Sequence, residues 1–162
     1  MLLPLKVKLF GAESGREIAP EQLVLLSDSE AEIAFEGVGE RPVASINRGF
    51  SAPVIVETDR SAADLGFLSG HDDDPFARYE AMQQLMVNVL VGQIGGQPVD
   101  ESAVVDAVRQ TLIDPALDSA FVAEAIRLPS EAYLGDQMPI VDPDAIHDAR
   151  DALQHRIGAE LE

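Results

Sequence analysis

Three histidines are the side chains that titrate nearest neutrality, and the residues after them are Asp72, Asp148 and Arg156. A hydrolytic zinc helix needs His-Glu-x-x-His, two ligands one turn apart with a glutamate beside the first. No His-Glu pair occurs in the 162 residues. There is no cysteine, which excludes disulfides and thiolate chemistry. No serine sits on a nucleophile elbow, and Gly95-Gly96 reads as a helix stop rather than a phosphate cradle. The residues therefore assign no catalytic, cofactor-binding or metal-ligating role within this chain.

Two acidic clusters still need a reading. Asp72-Asp73-Asp74 brings clustered carboxylates, which calcium favours, but it lacks alternating ligand spacing and a bidentate Glu. Consecutive side chains point apart, so the run reads as a helix cap with a solvated loop, and His71 as a surface or capping histidine. Asp144, His147, Asp148 and Asp151 share one helical face, with His155 slightly rotated. One histidine among carboxylates is the chemistry of a weak metal site. The apolar stripe opposite makes this face the wet side of an amphipathic helix. Arg41, Asn47 and Arg48 are different, being rare polar and cationic side chains clustered beside Gly49-Phe50 in an acidic chain.

The elements that position these groups change character across residues 41–57. Before that stretch the apolar residues alternate, as in Leu3, Leu5, Val7 and Leu9; after it they recur every three or four. Strands are expected at Leu3–Leu9, Arg16–Ala19, Leu23–Leu26, Glu32–Phe35, Val43–Ile46 and Val54–Glu57. Ser27-Asp28-Ser29-Glu30 would form a hairpin connection. Five or six short strands imply a small antiparallel sandwich, whose thin core must lean on a neighbour. Phe50 is the expected plug between the β part and the helical part.

The helical part opens at Ser61, where Ser-x-x-Asp makes a capping box, and Gly70 is expected to close the first helix in a left-handed conformation. Three later helices are expected at Asp74-Pro75, Asp114-Pro115 and Asp142-Pro143, because Asp accepts from free N–H groups and Pro lacks one. Phe76, Tyr79, Met82, Met86, Val89 and Leu90 form the stripe of the longest. A further helix starts at Asp100, another carries Phe121 to Ile126, and one turn follows at Glu131–Leu134. The last stripe comprises Ile146, Ala149, Leu153, Ile157 and Leu161. It has no stop signal, so a missing neighbour, or dimerisation through the faces near Leu153, Ile157 and Leu161, is expected.

With 29 acidic and 11 basic residues the formal charge is −18. Nucleic acid and anionic membrane both require basic surface, so neither is expected as a partner. No apolar run approaches the ~20 residues that span a bilayer. Met1-Leu2-Leu3-Pro4-Leu5 lacks the form of a secretory signal, although the chain ends carry little information about targeting.

Arg48-Gly49-Phe50-Ser51-Ala52-Pro53-Val54, followed by Asp64-Leu65, Phe67-Leu68, His71-Asp72, Asp74-Pro75-Phe76 and Arg78-Tyr79-Glu80-Ala81, resembles one segment of the aminopeptidase N (alanyl aminopeptidase) family of zinc exopeptidases. The likeness continues at Asp114-Pro115, Phe121 and Leu128-Pro129-Ser130. It implies a fold in segregated halves: an immunoglobulin-like β-sandwich over 1–57, then the start of an all-helical C-terminal domain over 58–162. It further implies a cytoplasmic bacterial parent that trims N-terminal residues from peptides with one zinc and a water nucleophile. The His-Glu-x-x-His and Gly-x-Met-x-Asn motifs are both absent here, so zinc and catalysis would belong to an upstream domain. This piece would be a non-catalytic spacer and part of the wall around the active site, its partners being the catalytic domain and remaining helices. Arg41, Asn47 and Arg48 would either face that domain or make local salt bridges and loop hydrogen bonds. The rival reading is a free-standing module that docks a protein partner. An open reading frame reaching upstream into His-Glu-x-x-His would decide for the first.

Overall fold

The computed structural model describes residues 2–162. Strands β1 (Leu3–Gly11), β2 (Glu17–Leu26) and β3 (Pro42–Ile46) form one antiparallel sheet in the order β2-β1-β3. A short 3-10 turn, Arg48–Phe50, leads on to six helices: α1 (Ala62–His71), α2 (Pro75–Ile94), α3 (Ser102–Ile113), α4 (Ser119–Ala125), α5 (Glu131–Asp136) and α6 (Pro143–Leu161). The segregated order, sheet first and helices second, is as expected.

The strand inventory is not. Glu17–Ala19 and Leu23–Leu26 belong to one continuous strand, β2, with Arg16 left in the turn around Gly15 (φ +67°) that joins it to β1. Glu32–Phe35 and Val54–Glu57 form no strand, so Ser27–Glu30 closes no hairpin. Both edges of β1 are already occupied by β2 and β3. Asp28, Glu30, Glu32 and Glu36 also crowd four carboxylates into the segment that would have to pair on an edge.

Helix α2 is the axis of the core. Its Met82, Leu85, Met86 and Leu90 are completely buried, and Leu65 and Leu68 of α1, Val104 and Val108 of α3, Leu134 of α5, and Ile146 and Leu153 of α6 close around them. Burial of this apolar surface, at roughly 25 cal/mol per Å2, is the main term holding the helices together. The sheet joins the cluster through Phe10 and Val43. Phe10, 4% exposed, is therefore the plug, and Phe50, 54% exposed, is not. Phe50 takes a left-handed conformation (φ 52°), which turns its ring outward onto Phe76 at 5.2 Å between centroids. Phe76 and Tyr79 are half-buried beside it, leaving Met82 onward as the stripe that faces the core.

Helix ends follow the capping chemistry with three exceptions, the first being α3, whose N-cap is Glu101 without a side-chain cap bond while Asp100 accepts from the Ser102 N–H. Ser61 and Asp64 form the reciprocal capping box of α1, and Asp74 and Asp142 accept from Ala77 and Ala145 at the starts of α2 and α6. Asp114-Pro115 starts no helix. Its carboxylate is held by Arg78 and the Ala116 amide, and α4 begins later, capped by Asp118. Gly70 does not stop α1 in a left-handed conformation either. The helix runs on to His71, and a Cβ on Gly70 would meet only the movable end of the exposed Gln110 side chain, at 2.4 Å. On α6, Leu153 is fully buried and Ile157 and Leu161 pack against the same cluster, so the face near Leu153 is already covered by the chain's own helices.

Removing one cap tests this account. Ser61→Ala should cost about 1 kcal/mol and lower the melting temperature by roughly 2–4 °C, read by scanning calorimetry.

Candidate functional site

Two features concentrate polar chemistry, a partly buried ionic seam between the sheet and the helices and an open cleft beside it. The seam is centred on Arg48. Asn47 positions it by wrapping its own side chain into the loop: the Ala52 N–H (2.9 Å) and Ser51 hydroxyl (3.1 Å) donate to Oδ1, and Nδ2 donates to the Ala52 carbonyl (3.1 Å). These bonds hold Asn47 left-handed at φ 61° and aim the next side chain inward. The guanidinium donates through Nε to Glu21 (2.9 Å), through Nη1 to Ser45 (3.2 Å) and Asp72, and through Nη2 to Asp73. Asp73 also takes Lys8 Nζ at 2.8 Å, and Lys8 reaches Glu17 at 2.6 Å. Asp74 Oδ1 accepts from both the Gly49 N–H (3.0 Å) and the Ala77 N–H (2.8 Å).

Asp74 caps α2 and the Asp73 side chain is exposed, as a cap with a solvated loop would have it, but Asp72 is 1% exposed and all three carboxylates grip the Arg48 loop or Lys8. Arg48 and Asn47 are likewise buried inside the chain, which settles them as internal contacts rather than surface groups. Arg41 pairs with Asp64 at 2.7 Å. Lys8 and Glu21 escaped the sequence reading. The available signal was the alternation of β1, which sets Lys8 on the same face as Phe10.

Burial opposes the charge on Arg48, but hydrogen bonds to Glu21 and Asp73 outweigh it and raise its pKa further. Asp73 lies below the usual aspartate range because bonds from Lys8 and Arg48 overcome its desolvation. Glu21 is lowered first by its bond with Arg48. Depressed carboxylates contribute stability that is present above their unfolded pKa of about 4 and disappears as pH falls through the folded value. The melting temperature should therefore fall once pH drops below about 4, even though protonation relieves the repulsion of a −18 chain. Stepwise calorimetry from pH 7 to 2.5 reads this; a rising melting temperature throughout would contradict it.

The cleft, about 900 Å3, opens between the Arg48–Phe50 turn, residues 54–60, α2 and the α4–α5 region. Phe50, Phe76 and both tyrosines, Tyr79 and Tyr133, line it together with Arg127 and Arg150. Desolvation at the wall raises the Glu80 carboxyl, and raises the Tyr79 hydroxyl with help from Glu124 and Glu80. Aromatic rings with arginine and few lysines are the composition of a contact surface. The histidines lie elsewhere. His71 stacks on Phe67 at 4.5 Å and bonds its carbonyl, capping α1. His147 meets Glu131 at 3.1 Å, a bond that raises its pKa, and His155 meets Asp151 one turn away. Among the described residues no group of three or more His, Cys, Asp or Glu side chains is placed to hold a metal ion. The residues present do not fit a catalytic zinc.

Residues 1–59 match a family model described as a domain of unknown function, DUF3458, with an Ig-like fold. Residues 62–162 match its companion, DUF3458_C, described as ARM repeats. The chain belongs to the DUF3458 family. This DUF3458 chain is 38% identical over 152 residues to aminopeptidase N of Caulobacter vibrioides, covering 93% of the chain and 18% of the relative. With aminopeptidase N of Escherichia coli the identity is 33% over 141 residues, 84% of the chain and 16% of the relative. A crystal structure of Legionella pneumophila aminopeptidase A in complex with aspartic acid superposes with a TM-score of 0.89 at 28% identity, covering 99% of the chain and 19% of that structure. The DUF3458 chain thus corresponds to less than a fifth of each aminopeptidase. No helix among the described residues is long and apolar enough to cross a membrane.

Proposed function

We propose that the chain is a non-catalytic part of a zinc-dependent aminopeptidase, a hydrolase that removes N-terminal amino acids from peptides. The observation that carries this reading is the 38% identity to an aminopeptidase N across 93% of the chain. Residues 1–57 act as an Ig-like spacer and 58–162 as the first helices of the domain enclosing the active site. No residue here is catalytic, cofactor-binding or metal-ligating. The parent's zinc sits in a catalytic domain outside this sequence, which has no His-Glu pair of its own. The partners are that domain and the parent's remaining helices, with peptides as the parent's substrate and the bacterial cytoplasm as its compartment. Neither nucleic acid nor membrane suits a chain of charge −18. Pairing of copies would have to use Ile157 and Leu161 without Leu153, which lies in the core.

The ionic seam supports the spacer role, because it ties sheet to helices with directional, partly buried bonds from Arg48. The purified chain should show no turnover of an aminoacyl reporter substrate, with or without added zinc. Turnover abolished by a chelator would overturn the proposal.

A further inference from the structure

Val54-Ile55-Val56 is β-branched throughout, which favours a strand. From Val54 to Arg60 the residues alternate between half-buried and exposed without a break: Val54, Val56, Thr58 and Arg60 turn toward the chain, and Ile55, Glu57 and Asp59 turn away. A period of two is the mark of an extended segment. Yet no backbone N–H or C=O from Ile55 to Arg60 is hydrogen-bonded within the described residues. The segment is held from behind by Arg60, which donates to the Ala44 carbonyl of β3 at 2.9 Å. Ile55, 93% exposed, is the most exposed large apolar side chain among the described residues. An extended segment with free backbone groups is a template for pairing with another strand.

We infer that residues 54–59 receive an added β-strand, supplied by the rest of the longer polypeptide, whose residues alternate between β-branched and basic. The inference rests on the reading of the chain as part of a larger protein, since the chain spans only 18% and 16% of the two aminopeptidase N relatives. The choice of a basic partner comes from Glu57 and Asp59, which share the outward face with Ile55 and carry no ion pair among the described residues. Opposite charges directly across two strands stabilise the pairing, and like charges oppose it. A second copy of this segment would set carboxylates against carboxylates.

The test uses the 162-residue chain and an alternating lysine–valine octapeptide, with amide hydrogen exchange followed by NMR. In the chain alone the Ile55–Asp59 amides should exchange as fast as those of an open loop. Millimolar octapeptide should slow alternate amides of this segment at least tenfold. An octapeptide N-methylated at every second residue should give no slowing, and a glutamate–valine octapeptide should bind at least tenfold more weakly. Ile55→Lys should weaken the lysine–valine peptide at least tenfold while leaving the melting temperature unchanged. No slowing at millimolar peptide, equal binding of the acidic peptide, or amides already protected in the free chain would each overturn the inference. Chelator-sensitive turnover by the chain would instead strike the aminopeptidase reading and leave the pairing edge standing.

Discussion

Replacing Arg48 by methionine should destabilise the chain by about 3–5 kcal/mol, because it leaves a buried carboxylate without its partner. Asp72 is 1% exposed, and its Oδ1 would retain only the Asp74 N–H at 2.9 Å; Oδ2 has no bond even in the intact seam. At roughly 2–4 °C per kcal/mol for a chain of this size, the melting temperature should drop by roughly 6–20 °C. Arg48→Lys should rescue little of it. A single ammonium is a point charge, whereas the guanidinium reaches Glu21, Ser45, Asp72 and Asp73 from three nitrogens. Asp72→Asn added to Arg48→Met should recover much of the loss, since the buried charge disappears while the acceptor for the Asp74 N–H remains. A drop under 1 kcal/mol in the single variant would show that the seam does not hold the two halves together.

The second large effect separates two phenylalanines. Phe10→Ala should cost about 3–5 kcal/mol, the usual range for emptying a buried aromatic site. Phe10 sits between the sheet and α1, tilted on Phe67 at 6.4 Å, with Lys8 Nζ and the Arg48 guanidinium 5.2 and 5.9 Å from its ring centroid. Its loss would open a void directly beneath the seam. Phe50→Ala should cost only about 1 kcal/mol, the value of an exposed aromatic pair such as that with Phe76. Chemical denaturation of both variants reads the difference. Equal costs would mean that the plug has been assigned to the wrong ring.

Much of this fold is legible in the residues because local chemistry dictates it. The boxes and caps at Ser61, Asp74 and Asp142 are satisfied within one turn of chain, so their signals survive in any context. Asp114-Pro115 shows the limit. The same dipeptide is diverted when a distant Arg78 takes the carboxylate, and no local rule foretells that. Gly70 is no stop either, because α1 continues to His71 and ends on Asp72 in an extended rather than left-handed conformation. The number of strands was overestimated because alternation marks extended chain, and extended chain becomes a strand only where a neighbour's backbone is free to pair. The seam was half visible. Arg41, Asn47 and Arg48 stood out as unusual, but Asp72 and Asp73 are remote partners whose pairing depends on how α1 and α2 pack under the sheet.

Asp74 has a double duty whose consequence is thermodynamic. One oxygen of its carboxylate starts the longest helix and also accepts from the Gly49 amide, so the loop below the sheet and the first turn of α2 share one acceptor. Melting of the two family-defined units is thereby coupled through Asp74, in addition to the Arg48 and Lys8 ion pairs and the Phe10 and Val43 packing. Heating should produce one calorimetric peak whose van't Hoff and calorimetric enthalpies agree, and Asp74→Ala should broaden it or split it in two.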